Sequence, residues 1–421
     1  MNLAQSGEVS PTPVARWTVP ALALAIAAIL VTASTVAITH KDTSNSDRVA
    51  AGTTTTSSPG SSTSTSASSP PSGLAQLISQ LEGFVAQNRG LPFSKPVPVS
   101  LLSSADFQRR LAAVQAEGED QAATTKAEKV LRALGLLDRG VSLDKEEKGL
   151  LSDAVAGFYD PKRKDLVVRG ADSTSPYVRV VLAHELTHAD QDQHFTLDRP
   201  ALDKRDDEAS QAFTALIEGD AVRIQQTYLN SLSAKDRVRA QQEESSQAGS
   251  IDPNVPPVLL DTLSFPYTFG VEFVKAVVKA GGQARLDAAF ANPPTTSEQI
   301  LHPQLFLAGQ ASMAVADPAA DGKVIDHGVV GEFGLLLMFL DSKRPLAKSV
   351  AGQAAAGWGG DRYVAWDSGD KTCLRANFVM DTQADTNQLV SALKDWASRQ
   401  PAATITGSGT GASPITMTTC N

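Results

Sequence analysis

Residues 180–195 read VVLAHELTHADQDQHF, and the pentad His184-Glu185-Leu186-Thr187-His188 within them decides how the rest of the chain is read. Successive residues of an α-helix turn by about 100°, so His184 and His188 lie one turn apart and about 40° apart around the axis, on one face, where both imidazoles reach a single cation. Glu185 then falls beside that cation instead of on it. From there a carboxylate can take a proton from a metal-bound water and hand it to a leaving amine, which makes His-Glu-x-x-His the signature of a zinc hydrolase. Three of the six histidines, His184, His188 and His194, fall within this stretch. The helix is also marked at its start: Ser175 suits the N-cap, Pro176 the first turn, and Val178, Val181 and Leu182 supply a buried face.

A catalytic zinc takes three protein ligands and a water, so a third ligand must come from elsewhere. His194 follows His188 at the spacing of HExxHxxGxxH, but Gln191 stands where that motif has the glycine that breaks the helix. Without the break, His194 sits about 9 Å further along the axis and points away. Glu218, in residues 215–222 (ALIEGDAV), is the stronger candidate. A carboxylate inside an apolar helix is costly unless a cation compensates it, the alternative being a basic partner such as Arg223. Gly219 would let this helix approach the HELTH helix, and Asp220 could hydrogen-bond a ligand imidazole. A donor for the oxyanion of peptide hydrolysis is sought in Tyr267, just before the helical run 271–280, and in His302, between the polar segment 293–299 and Pro303. His327 is read as structural.

An HExxH helix followed by a helical glutamate thirty residues after its second histidine (188 to 218) resembles the gluzincin division of zinc metallopeptidases. The wording is closer to exported or membrane-anchored bacterial HExxH proteins, matching at residues 183–195 (AHELTHADQDQHF), 218–221 (EGDA), 266–270 (PYTFG), 293–303 (PPTTSEQILHP) and 357–363 (GWGGDRY). Two departures stand out. Asp190 replaces an apolar residue usual two places after the second histidine, and Val222 stands where the gluzincin ExxxD pattern has its aspartate. The resemblance implies one Zn²⁺ held by His184, His188 and Glu218, with Glu185 as general base and then acid.

The chain has 421 residues and a net charge of −9, which argues against nucleic acid as a partner. Residues 19–38 carry no charge and are long enough, at about 1.5 Å per residue, to cross the hydrocarbon core, so they are read as a transmembrane anchor after a short tail, residues 1–18. A cleaved signal peptide is the alternative. In the stalk that follows, residues 39–73, fifteen of the twenty residues from Thr53 to Ser72 are Ser or Thr, a tract that cannot build a core. The expected setting is the cell membrane, single-pass, with the remaining domain extracytoplasmic. Two cysteines occur, Cys373 and Cys420; an exported chain would pair them, though sequence leaves their geometry open.

Beyond the stalk, apolar periodicity predicts helices over 74–87, 107–116, 122–137, 144–155 and 386–398, with strands over 363–366 and 372–380. Residues 156–169 read as a hairpin around an Asp-Pro turn, whose second strand could line a cleft and take an extended peptide. Residues 357–360 (GWGG) lack the Lys-Ser/Thr of a phosphate loop and read as a turn. The expectation is an α+β, mainly helical, zincin-like metallopeptidase domain with a small β hairpin or sheet, over residues 74–421. It would hydrolyse peptide or protein substrates. The competing expectation is a metal-stabilised cell-envelope binding or scaffolding module, against which Glu185 counts, since a structural site has no use for a base beside the metal.

Overall fold

The computed structural model describes residues 72–421 apart from 119–120, 152–154, 170–173, 248–253, 342, 401 and 410–412. The expected anchor and nearly all of the stalk lie outside the described residues; among the described residues no helix is long and apolar enough to cross a membrane.

Helix α1 (Ser72–Arg89) begins two residues ahead of the expected boundary and buries Leu74, Ile78, Leu81 and Val85, one stripe at helical spacing. Gly90, at φ +82°, ends it in the left-handed conformation that glycine adopts freely. Strand β1 (Val99–Leu102), α2 (Ser104–Gly118), α3 (Gln121–Ala133) and α4 (Leu143–Leu151) follow. The hairpin is β2 (Gly157–Asp160) and β3 (Asp165–Arg169). Strand order is β1-β3-β2, with β1 parallel and β2 antiparallel to β3. The second hairpin strand is therefore hydrogen-bonded on both sides and cannot add a peptide; the edge beside the HELTH helix is β2. Sequence hid this because β1 returns from far upstream.

Helix α5 (Pro176–Phe195) carries the pentad, and its Ser175 side chain accepts from the Val178 N–H with Pro176 in the first turn, as expected. Leu182 and Leu186 are fully buried, each contributing about 2 kcal/mol of apolar burial. After α6 (Pro200–Asp203) comes α7 (Ala209–Ser231), which carries Glu218, then α8 (Ala234–Gln247). Helix α9 (Pro257–Ala291) keeps Pro266 inside it and bends at Gly281 and Gly282. Tyr267 accordingly lies within a long helix, not ahead of one; burial of Leu259, Leu263 and Phe265 along the same helix offsets the hydrogen bond the proline forgoes.

The remainder is built on an antiparallel sheet of order β4-β5-β6-β8-β7: β4 (Val324–Gly328), β5 (Trp358–Ser368), β6 (Lys371–Met380), β7 (Thr404–Thr406) and β8 (Ile415–Cys420). With it go α10 (Ser297–Leu301), α11 (Pro303–Ala308), α12 (Gly331–Leu340), α13 (Lys348–Ala355) and α14 (Gln383–Ser398). Cys373 on β6 lies opposite Cys420 on β8, and the two are joined as a disulfide. One apolar core runs from α7 and α9 through α12, α13 and α14 to the sheet, so helices and sheet share an interior. The fold is thus a mixed helix-and-sheet one, mainly helical, with two small sheets.

Helices α7 and α9 meet backbone to backbone. A Cβ at Gly219 would collide with the Gly270 carbonyl, and one at Gly270 with the Ala215 carbonyl. Gly219 therefore serves the approach of α9, not that of the HELTH helix, because the place its Cβ would take faces Gly270. Gly219→Ala should lower unfolding free energy by about 3 kcal/mol in chemical denaturation, as overpacking against backbone demands. Gly352→Ala, in α13 with open space around it, should be neutral or stabilising by up to about 1 kcal/mol.

Candidate metal centre

His184 and His188, one turn apart on α5, meet Glu218 of α7, with all three side chains wholly shielded from solvent. His184 Nε2 and His188 Nε2 are 3.0 Å apart, and Glu218 Oε2 lies 3.2 Å from the first and 3.5 Å from the second. Among the described residues this is the one group of three or more His, Cys, Asp or Glu side chains arranged to hold a metal ion.

The outer faces of the two imidazoles set their protonation. The Gln191 amide donates to Ile217 O and to Asp220 Oδ2, both at 3.1 Å, so its carbonyl oxygen is the atom 3.1 Å from His188 Nδ1. His188 Nδ1 must then be the donor. Gln225 Oε1 meets His184 Nδ1 at 2.9 Å in the same sense. With both Nδ1 atoms protonated, the neutral rings turn bare Nε2 lone pairs toward each other and toward a carboxylate whose Oε1 has no partner. With both rings neutral, three acceptors converge without a donor, an arrangement that calls for a cation. A single proton can bridge only one pair of them. A tetrahedral ion with ligands at about 2.0–2.1 Å has edges of about 3.3 Å, close to the three separations found.

Without a metal, a proton on His188 meets part of that demand. Burial alone would disfavour charge on every member, and it does hold the His184 imidazole below its usual range. At His188 the Glu218 carboxylate outweighs burial and raises the ring to about 9. Glu218 is in turn held below the usual carboxylate range, the two histidines overcoming its desolvation. Glu185, one residue along α5, is also buried; its Oε2 accepts the Tyr159 N–H from edge strand β2 at 2.8 Å, and burial pushes it up to about 8.

The other sequence candidates separate. His194 points away, its Nε2 2.9 Å from Pro92 O, and belongs to the far end of the helix. Arg223 pairs with Asp220 at 2.7 Å and not with Glu218. Asp220 reaches no imidazole itself but acts on His188 through Gln191. Tyr267 is buried in the apolar cluster that also holds Phe158 and Val222, neighbours of the Tyr159 amide and of Glu218 respectively. His302 is not brought to the triad; its Nε2 meets Glu332 Oε1 at 2.9 Å, because the chain turns between α10 and α11 at this residue. His327 contacts Asp206 and Arg362 beside β4. Reading the sequence missed Gln191 and Gln225, although each had a signal: Gln191 stands three residues after His188 and Gln225 seven after Glu218, on the ligand-bearing faces.

Residues 319–416 are similar to a domain of unknown function (DUF8575), a stretch that takes in β4 to β7, α12 to α14 and the first residues of β8 but none of the triad. No curated protein and no solved structure matches the chain.

Around His302 lies a second buried group. Glu208 Oε2 accepts the Ser297 N–H at 3.2 Å, Asp361 accepts the Val330 and Gly331 N–H groups and the Trp358 indole, and one oxygen each of Glu298 and Glu332 has no partner. Burial pushes Glu208 and Glu298 up to about 8 and Asp361 up to about 6. These acids hold protons in the native state that the unfolded chain has already lost, so the stability they contribute is complete below about pH 4 and fades as pH rises through 6 to 8. Metal-free protein should therefore lose stability from about pH 5 to about pH 8, and Glu208→Gln should flatten the decline by up to about 1.4 kcal/mol per pH unit. Equal slopes in urea titrations of the two proteins would contradict this.

Proposed function

We propose that the protein is a zinc-dependent peptidase of the zincin type, anchored by residues 19–38 and acting outside the cytoplasm on peptide or protein substrates. The observation that carries the reading is the set of edges, 3.0, 3.2 and 3.5 Å, made by two imidazoles and a carboxylate with a further glutamate adjoining them. Two nitrogens and one oxygen leave a fourth tetrahedral position open, as catalytic zinc sites do and closed structural sites do not. The Cys373–Cys420 disulfide supports an oxidising compartment.

When bound, zinc lowers the pKa of a coordinated water to about 7 and polarises the substrate carbonyl. His184, His188 and Glu218 would hold it, and Gln225 and Gln191 keep the two imidazoles in the tautomer that presents Nε2. Glu185 would accept the proton of the attacking water and return it to the leaving amine. Its hydrogen bond from the Tyr159 N–H fixes that carboxylate while leaving Oε1 for the proton. Tyr267, in the apolar cluster that holds Val222 of α7, remains the donor candidate for the developing oxyanion. His302, engaged with Glu332, serves the second acidic group instead. Because the triad is closed to solvent, substrate entry requires its cover to open.

That same closure favours one competing reading, a metal-held envelope module without turnover. The two part on a single pair of variants. Zinc-loaded full-length protein should cleave members of a broad peptide library, stop on chelation and resume on zinc addition. Glu185→Gln should retain one zinc per chain with cleavage reduced by about 10²- to 10⁴-fold, while Glu218→Gln should lose the zinc itself. Retained zinc with no cleavage by the unaltered protein would favour the module.

A further inference from the structure

Arg89 is the last residue of α1, continues the stripe Leu74, Ile78, Leu81 and Val85, and is wholly buried. A charge on an apolar stripe is expensive unless opposite charge is paired with it. Its Nε donates to Asp220 Oδ2 at 2.6 Å, one terminal nitrogen reaches Gln283 Oε1 at 3.3 Å, and the other lies 2.7 Å from Asp287 Oδ1. The guanidinium carbon sits 5.6 Å from the ring centroids of both Phe195 and Phe290. Asp220 Oδ2 is also the atom that accepts from Gln191 Nε2, and Gln191 Oε1 is the atom that meets His188 Nδ1. Asp220 Oδ1 is taken by Arg223, so the Oδ2 lone pairs are divided between Arg89 and Gln191 alone among these partners. Four side chains from three helices thus run in an unbroken line from α1 to a ligand imidazole.

We propose that Arg89 is a positioning residue for the metal centre, holding His188 Nε2 on the metal through Asp220 and Gln191, so that docking of the first helix after the stalk sets metal affinity. The inference rests on the triad holding zinc. Arg89 touches neither metal nor substrate. Its guanidinium fixes the rotation of the Asp220 carboxylate, the carboxylate orients the Gln191 amide, and the amide keeps a proton on His188 Nδ1, so that Nε2 would be the nitrogen offered to a metal. Asp190, buried next to this line, makes no hydrogen bond with either oxygen and has His194 Nε2 3.6 Å from its Oδ1. Residues 72–89 are then part of the metal site although no residue of theirs ligates it.

Zinc affinity of the full chain, measured by competition with a chromophoric chelator, tests this in Arg89→Met, Arg89→Lys, Gln191→Leu and the Arg89→Met/Gln191→Leu double variant. Arg89→Met should bind zinc about tenfold to a hundredfold more weakly, the range for lost outer partners of a ligand. Arg89→Lys should recover part of the loss and is the variant read should Arg89→Met fail to fold. The double variant should bind no more weakly than Gln191→Leu, because both act on one imidazole. The rise in melting temperature on zinc addition should also shrink in Arg89→Met, which a merely structural role, lowering metal-free and loaded forms alike, would not produce. Affinity unchanged within about twofold, or losses that multiply in the double variant, would overturn the proposal. Absence of zinc binding by the unaltered protein would instead sink the reading of the triad itself.

Discussion

Three electron-pair donors, His184 Nε2, His188 Nε2 and a Glu218 oxygen, face one another in a space from which solvent is shut out. In water such a convergence would disperse; in a protein interior each bare acceptor costs free energy on the order of 1–3 kcal/mol unless something positive lies between them. Much of the surrounding structure can be understood as the means of holding that cost in place. The capped start of α5 fixes the phase of the two histidines, α7 brings the carboxylate, and the glycine crossing at Gly219 and Gly270 pins α7 against α9. Around this, two glutamine side chains decide which nitrogen of each ring is bare.

Charge is distributed over the interior with a consistent logic. Near the triad the buried carboxylates Glu218 and Asp220 are held ionised by histidines and arginines. Beside β5 and α12, Glu208 and Asp361 accept from backbone N–H groups and an indole; Arg362 lowers Asp361, but burial outweighs it and favours the protonated form of both acids. The second group spans the N-cap of α7, α10, α12 and β5, tying the helix that carries Glu218 to the unit matched at residues 319–416. Helical and sheet portions also share one apolar core, so the site is not isolated from the sheet.

What was legible in the chain is what depends on local periodicity. His184 and His188 could be paired from spacing alone, and Glu218 from the expense of a carboxylate in ALIEGDAV, because both arguments need only one helix at a time. Directions across helices were not legible. Gly219 faces α9 and not the HELTH helix, Asp220 reaches His188 only through Gln191, and His302 meets Glu332, in a helix no pattern links to it. Strand β8 escaped notice because its alternation, Ile415 and Met417 inward, is short and set in a Ser/Thr/Gly-rich tail; pairing with β6 and Cys373 makes it a strand. In the sequence Gln191 stands out only as the absence of a glycine. Arg89 did carry a signal, a charge at the fifth position of an otherwise apolar stripe, but its partners lie 131 and 198 residues away (220 − 89 and 287 − 89).

Anomalous scattering from crystals of the zinc-loaded protein, recorded on both sides of the zinc absorption edge, tests the central claim most directly. The account predicts one difference peak per chain, about 2.0–2.2 Å from His184 Nε2, His188 Nε2 and a Glu218 oxygen, with Gln191 and Gln225 still on the outer ring nitrogens. A peak lying elsewhere, or a triad that stays free of metal at saturating zinc with its three side chains rearranged around a proton, would contradict it.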